Sequence, residues 1–194
     1  MIRALMTLGL FACISACAPA PEPRLFLLGA PAGATTATSA AVTAPVIGLR
    51  EIALPLYARR PQVAAQSADG TLIASDQNRW AEDPPRAATR LVARTLMMRT
   101  GADVFEEPWG READPDLVAA VEVDRFIGGL GGEVTLEGQL SISSRRAQGR
   151  PRLVPFAISE PVAGNSWDGL TDAYGRAVQA LGNFVAAQIS DGNG

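Results

Sequence analysis

The alternation of apolar and polar positions is clearest in the second half of the chain. From Glu133 to Ser143, Val134, Leu136, Leu140 and Ile142 alternate with Glu133, Thr135, Glu137, Gln139, Ser141 and Ser143. A period of two with one polar side predicts an antiparallel strand exposed on one face. Leu117 to Ile127, rich in Val and Ala, predicts a long strand before it, with Gly128-Gly129-Leu130-Gly131-Gly132 as the turn between them. Arg152 to Ile158 predicts a third strand of the same meander. The period then becomes helical. Trp167, Leu170, Tyr174, Val178, Leu181 and Val185 form one stripe of a helix from about Ser166 to Ile189, broad enough to bury against a sheet.

The first half carries shorter signals. Arg24 to Leu28 predicts a short buried strand, and the small uncharged residues at 29–45 a mobile loop. Val46 to Leu54 predicts a strand ended by Pro55. An extended stretch beginning at Arg60-Pro61-Gln62-Val63, a turn at Asp69-Gly70 and a return strand from Thr71 to Ser75 predict a hairpin. Asp83 is placed to cap a helix with Pro84 and Pro85 in its first turn. Ala88, Leu91, Val92, Thr95 and Leu96 then keep helical spacing, Gly101 closes the helix, and Ala102 to Glu106 predicts a strand. Strands and helices mixed in this way predict one domain over 24–190, an α/β sandwich with a mixed, partly antiparallel sheet.

The N-terminus has a different character. Arg3 precedes an almost wholly apolar run from Ala4 to Cys13, which is too short to span a bilayer. Ile14-Ser15-Ala16-Cys17 follows and resembles the lipobox of bacterial lipoproteins, where small residues let the peptidase seat the backbone at the cut. On this reading residues 1–16 are a signal peptide, Cys17 is acylated, and 17–23 form a Pro-rich tether with a reach of roughly 20 Å. Cys13 competes for acylation, but bulky Phe11 stands where a small residue is wanted. The alternatives are an ordinary secretory signal cut after Ala16, or a permanent transmembrane anchor. Ala18 stands where Asp would mark inner-membrane retention in many bacteria, which favours an outer-membrane anchor with the domain in the periplasm.

Composition narrows the chemistry. The chain has 194 residues, 47% hydrophobic and 19% charged, with a formal net charge of −3, so it carries no polyanion signature and no nucleic-acid partner is expected. It has no His, and every basic residue is Arg. That removes Ser-His-Asp and Cys-His machinery, HExxH zinc sites, the P-loop lysine and Schiff-base chemistry. Both cysteines lie within the first 17 residues, so the body has neither a disulfide nor a thiolate metal site. We therefore expect no catalytic residue, no metal and no cofactor. An enzyme here would have to use carboxylates, hydroxyls and arginine.

Three clusters remain as candidates. The acidic run of Asp103, Glu106, Glu107, Glu112, Asp114 and Asp116 reads as a solvated face, or as a carboxylate pair of the hydrolytic kind, and it lacks the DxDxDG calcium pattern. The glycines at 128–132 are not GxGxxG and join two strands, so they read as a turn. Arg86, Arg90 and Arg94 follow one another at every fourth residue with no acid between Pro84 and Gly101. Like charges at that spacing cost an isolated helix about 0.2–0.5 kcal/mol per pair. The stripe suits an acidic partner surface, a neighbouring subunit or anionic head groups; otherwise it is solvated or paired with acids from elsewhere.

Two short motifs carry a family resemblance. Leu54-Pro55-Leu56-Tyr57-Ala58-Arg59-Arg60-Pro61-Gln62-Val63, followed by Asn78-Arg79-Trp80-Ala81-Glu82, resembles the PqiC-like ABC-transport auxiliary lipoproteins. That family shows a tyrosine, then Arg-Pro-Gln before an aliphatic strand, then Arg-Trp-Ala-Glu before a helix. The likeness continues at Val121-Glu122-Val123-Asp124-Arg125-Phe126, at Gly132-Glu133-Val134-Thr135-Leu136, and in the closing helix with Tyr174. It departs at Arg59, where an acid is usual, at Asp83-Pro84, where Pro-Leu is frequent, and near Gln139-Leu140, where a tryptophan is common. The resemblance implies a three-layer α/β domain similar to anticodon-binding-like folds. It also implies an MCE-domain partner in ABC-driven lipid transport between membranes, and homo-oligomers. Tyr57, Arg60, Pro61, Gln62, Arg79 and Trp80 would then serve structure or an interface. The rival reading from the residues is a binding module of another envelope assembly complex.

Overall fold

The alternating meander builds the larger of two sheets. The structure, a computed structural model, describes residues 22–29, 45–111, 113–145 and 149–191. The expected signal peptide, Cys17, and all but the ends of the expected loop at 29–45 lie outside the described residues. In chain order the elements are β1 (Arg24–Phe26), β2 (Val46–Leu49), β3 (Gln62–Gln66), β4 (Leu72–Trp80), α1 (Pro84–Thr100), β5 (Asp103–Glu106), β6 (Leu117–Gly128), β7 (Glu133–Ser144), β8 (Arg152–Pro161) and α2 (Trp167–Asp191).

The larger sheet has the order β5-β2-β6-β7-β8, and the smaller has the order β1-β4-β3. β5, β2 and β6 run parallel, while β6, β7 and β8 are antiparallel. β1 lies parallel to β4, and β3 pairs with β4 as a hairpin. The expected α/β sandwich with a mixed, partly antiparallel sheet is what the chain builds.

One face of the larger sheet carries the core. Ala119, Val121 and Phe126 of β6 and Val134, Leu136, Leu140 and Ile142 of β7 are buried, as are Leu170, Val178, Leu181 and Val185 of α2. Polar partners in the alternation, such as Glu137 and Gln139, stay exposed on the other side. At β2 that outer side is covered: a Cβ on Gly48 would meet the Trp109 ring at 3.1 Å and Pro115 at 3.0 Å. The third body is the smaller sheet, whose β3 touches β6.

Local chemistry explains where the elements depart from the sequence pattern. β2 stops at Leu49 rather than Leu54. The N–H of Ile52 turns away from the sheet and donates to Thr89 Oγ1 on α1 at 2.9 Å, although Ile52 and Leu54 are still buried. β4 runs on to Trp80, past the expected Ser75, because the register shifts opposite Gln62/Val63 absorb the extra residues. Asp83 occupies the N-cap position of α1 but its carboxylate makes no cap bond. Pro85 at the second helical position removes one of the two backbone donors it could have used. Gly101 closes α1 as expected, at φ 68°, its N–H donating to the Met97 carbonyl at 3.0 Å.

The two helices pack on each other at a bare backbone position. A Cβ on Gly182 would lie 2.7 Å from the Cβ of Thr95. Thr95 is β-branched and buried, so it cannot swing aside. Gly182→Ala gains about 1 kcal/mol of helix propensity but forces the helices apart. A net loss of about 1–3 kcal/mol is expected in urea denaturation, and an unchanged or higher midpoint would refute this packing.

Candidate functional site

The two sequence motifs meet in space. Gln62 of β3 stands opposite Arg79 of β4, and Leu25 of β1 stands opposite Arg79 on the other side. The Trp80 N–H donates to the Pro61 carbonyl at 2.7 Å, and the Ala81 N–H to the Phe26 carbonyl at 2.7 Å. Pro61 thus serves as an acceptor, the one backbone role its ring leaves open. The side chain of Gln62 donates to Asp76 Oδ1 at 3.3 Å. Buried Asn78 donates through Nδ2 to Ser75 Oγ at 2.7 Å, which holds the irregular part of β4.

Tyr57 and Trp80 turn toward the larger sheet. Tyr57 Oη accepts the N–H of Phe126 in β6 at 2.9 Å. Trp80 stands edge-on to Tyr174 of α2, with ring centroids 5.7 Å apart, and Phe126 meets the same ring edge-on at 4.8 Å. Tyr174 is buried, and its Oη makes two bonds. It accepts the Gly128 N–H at 3.1 Å and donates to the Ala64 carbonyl at 3.0 Å. One phenol therefore ties α2 to the end of β6 and to β3.

Burial drives the Tyr174 hydroxyl well above its ordinary value of 10.0, the Gly128 N–H opposing the rise. A phenol held neutral with both bonding directions filled is neither a base nor a nucleophile. The cavity beside it is lined by Leu28, Ala58, Gln62, Ala64, Trp80, Pro84, Phe126 and Tyr174 and holds about 10 Å³. That is room for about one water and not for a lipid tail. Of the motif residues, Arg60 and Pro61 are exposed, Tyr57, Gln62 and Arg79 half-buried, and Trp80 buried.

The other candidates lie apart from this junction. Arg86, Arg90 and Arg94 share the exposed side of α1. Arg90 pairs with Glu82, just before the helix, while no ion pair among the described residues holds Arg86 or Arg94. The acidic run sits at the opposite end of the larger sheet. Asp103 and Glu106 are exposed on edge strand β5, and Glu107 is exposed beside it. Asp114 pairs with Arg145. Asp116 accepts the Val46 N–H at 3.1 Å through Oδ2 and so fastens β2. Glu112 lies outside the described residues. Among the described residues no group of three or more His, Cys, Asp or Glu could hold a metal ion, and no helix is long and apolar enough to cross a membrane. The turn at 128–132 joins β6 to β7.

The sequence pattern marks Tyr174 as an apolar stripe position, carries Phe126 and Asn78 only as members of the family-like stretches, and gives no sign of Thr89. The available signal was chemical: a tyrosine on a buried stripe needs a partner for its hydroxyl.

Comparison with known proteins agrees with this geometry. The family model of the ABC-type transport auxiliary lipoprotein component matches residues 26–186, and the chain belongs to that family. Among solved structures, an uncharacterized protein is similar with 18% identity and a TM-score of 0.69, covering 87% of this chain and 99% of its own. A Xanthomonas campestris protein of the DUF330 family is similar with 13% identity and a TM-score of 0.60, covering 84% and 92%. At such identities the likeness shows the fold. No curated protein sequence matches the chain.

Tyr174→Phe leaves the buried Gly128 N–H and the half-buried Ala64 carbonyl without their shared partner, at an expected cost of about 1–3 kcal/mol. The pH response gives a second readout. Because the folded state raises this phenol's pKa, its contribution is complete below the unfolded value of 10.0 and fades as pH rises above it. Stability should fall above pH 10, and less steeply in Tyr174→Phe, as followed by denaturant midpoints across pH. Equal slopes would remove Tyr174 as the cause.

Proposed function

We propose that this protein is a non-catalytic accessory subunit of an ABC-driven system that moves lipid between membranes. Acyl chains on Cys17 hold it to the outer membrane, its body lies in the periplasm, and an MCE-domain protein is its partner. The observation that carries the reading is the family match across residues 26–186. The site geometry supports it. Of the residues that mark the family, Tyr57, Pro61 and Trp80 join two sheets and a helix, and the cavity beside them is too small for a substrate. What is left for function is surface.

Within this reading, Arg86 and Arg94 are the natural contact for an acidic partner. They are exposed on one side of a helix, two turns apart, and no ion pair among the described residues holds either. Homo-oligomerisation would place several such stripes around one partner and multiply a weak contact.

Affinity purification from native membranes tests the assignment. Tagged protein should bring down an MCE-domain subunit; consistent failure to do so, with the anchor intact, rejects it. The double variant Arg86→Glu/Arg94→Glu should lower that recovery about tenfold while leaving the folded spectrum unchanged. Cys17→Ala should move the protein from the membrane to the soluble periplasmic fraction, and mass spectrometry of the native N-terminal peptide should show the acyl mass.

A further inference from the structure

Three large apolar side chains are left in water where the chain enters the domain. Leu25 and Leu27 are 65% and 70% exposed, and Leu56 is 74% exposed. Single exposed leucines are ordinary, but a gathered patch marks a contact. Leu25 lies in β1, Leu27 directly follows that strand, and Leu56 lies in the turn that leads toward β3. Leu28 and Ala58 line the same cavity, so Leu27 and the turn around Leu56 stand at its rim. Leu25 is in register with Arg79, which faces Gln62 across the sheet. Arg59 and Arg60 are exposed at this end, and no ion pair among the described residues holds either. Two acids toward this end are paired with other arginines, Glu82 with Arg90 and Asp168 with Arg24.

The course of the chain identifies the occupant. Only residues 18–23 separate Cys17 from Arg24, a reach of roughly 20 Å when extended. Acyl chains on Cys17 would therefore hold this end, and not the opposite one, beside the bilayer. We propose that the free end of the small sheet lies on the membrane surface. Leu25, Leu27 and Leu56 enter the interfacial layer there, and Arg59 and Arg60 face anionic lipid phosphates. This rests on the acylated anchor of the preceding section and adds to it an orientation: the tether would not let the domain swing free but would dock it by one defined edge. Leucines beside arginines are the composition that binds such an interface.

Single thiols can report the contact, because the acylated mature chain has no cysteine other than Cys17. Leu27→Cys, Leu56→Cys and Leu153→Cys would each carry an environment-sensitive dye on the lipidated protein. Leu153 is 56% exposed at the start of β8, roughly 25 Å along that strand from its other end. The vesicles contain phosphatidylethanolamine and phosphatidylglycerol with brominated acyl chains as quenchers. Fluorescence at 27 and 56 should fall and shift to the blue on the vesicles, while that at 153 stays as in buffer. Arg59→Glu/Arg60→Glu should reduce the quenching at both positions. The acyl mass is measured on the same samples, so loss of the anchor is read separately from loss of the orientation. With acylation verified, dyes at 27 and 56 that behave like the one at 153 overturn the proposal. Dyes that change only when the MCE partner is added, and not on vesicles, overturn it too and assign the surface to protein.

Discussion

Tyr174 is the point where α2, the end of β6 and strand β3 are fixed to one another, through an accepted bond from Gly128 and a donated bond to Ala64. The small sheet has only three strands, of 3, 9 and 5 residues, the minimum that holds together and only when one face is buried. They take their stability from outside, from the ring of Tyr174 with Trp80 and Phe126 set edge-on against it, and from Tyr57 binding the Phe126 backbone. Edge-on rings add about 0.5–1.5 kcal/mol each beyond the area they bury. Hydrogen bonds in a dry site fix direction as well as energy. Together they set the small sheet at one angle to the helices.

Much of this was legible as periodicity. The alternation at 133–143 gave β7 and its neighbours because a half-buried strand has to repeat every two residues. The stripe from Trp167 to Val185 gave α2 for the matching helical reason. Gly101 was readable because the chain must turn left-handed there. What stayed hidden depends on partners far along the chain. The end of β2 is decided by Thr89, 37 residues beyond Ile52. The length of β4 is decided by irregular pairing with β3, and its segment Ser75 to Arg79 shows no alternation to read. The Arg90 pair with Glu82 spans eight residues across the start of a helix, a spacing that helix-face rules do not cover.

The candidate site was legible in its residues but not in its meaning. Tyr57, Pro61, Gln62, Arg79 and Trp80 were picked out as a signature, and the structure brings them together across β3 and β4. Their chemistry there is cohesive: backbone acceptors, a satisfied phenol, an aromatic edge. Residue types alone do not separate such a joint from a catalytic set. The distinction comes from burial and cavity size, which only coordinates supply. A hollow for about one water separates a structural joint from a binding pocket.

An auxiliary subunit whose signature is a joint acts through the surfaces that the joint orients. The rigid tie between the small sheet and the helices means that a force or contact at β1 is felt by α1 and α2 without an intervening hinge. Arg24, the first residue of β1, pairs with Asp168 in the first turn of α2. Pro84, the first residue of α1, lines the cavity beside Trp80. Both helices thus begin at the end where β1 enters the domain, and α2 ends beside Arg152 at the far end of the sheet, where Gln188 accepts from that guanidinium at 2.9 Å. Fixing the β1 end against a surface would therefore fix the direction of both helix axes and, with them, the side of α1 that carries Arg86 and Arg94. A lipid anchor alone restricts distance; a domain seated by its small sheet also restricts angle. Restricting angle as well as distance is what raises the effective concentration of one surface for a partner held in the same membrane system.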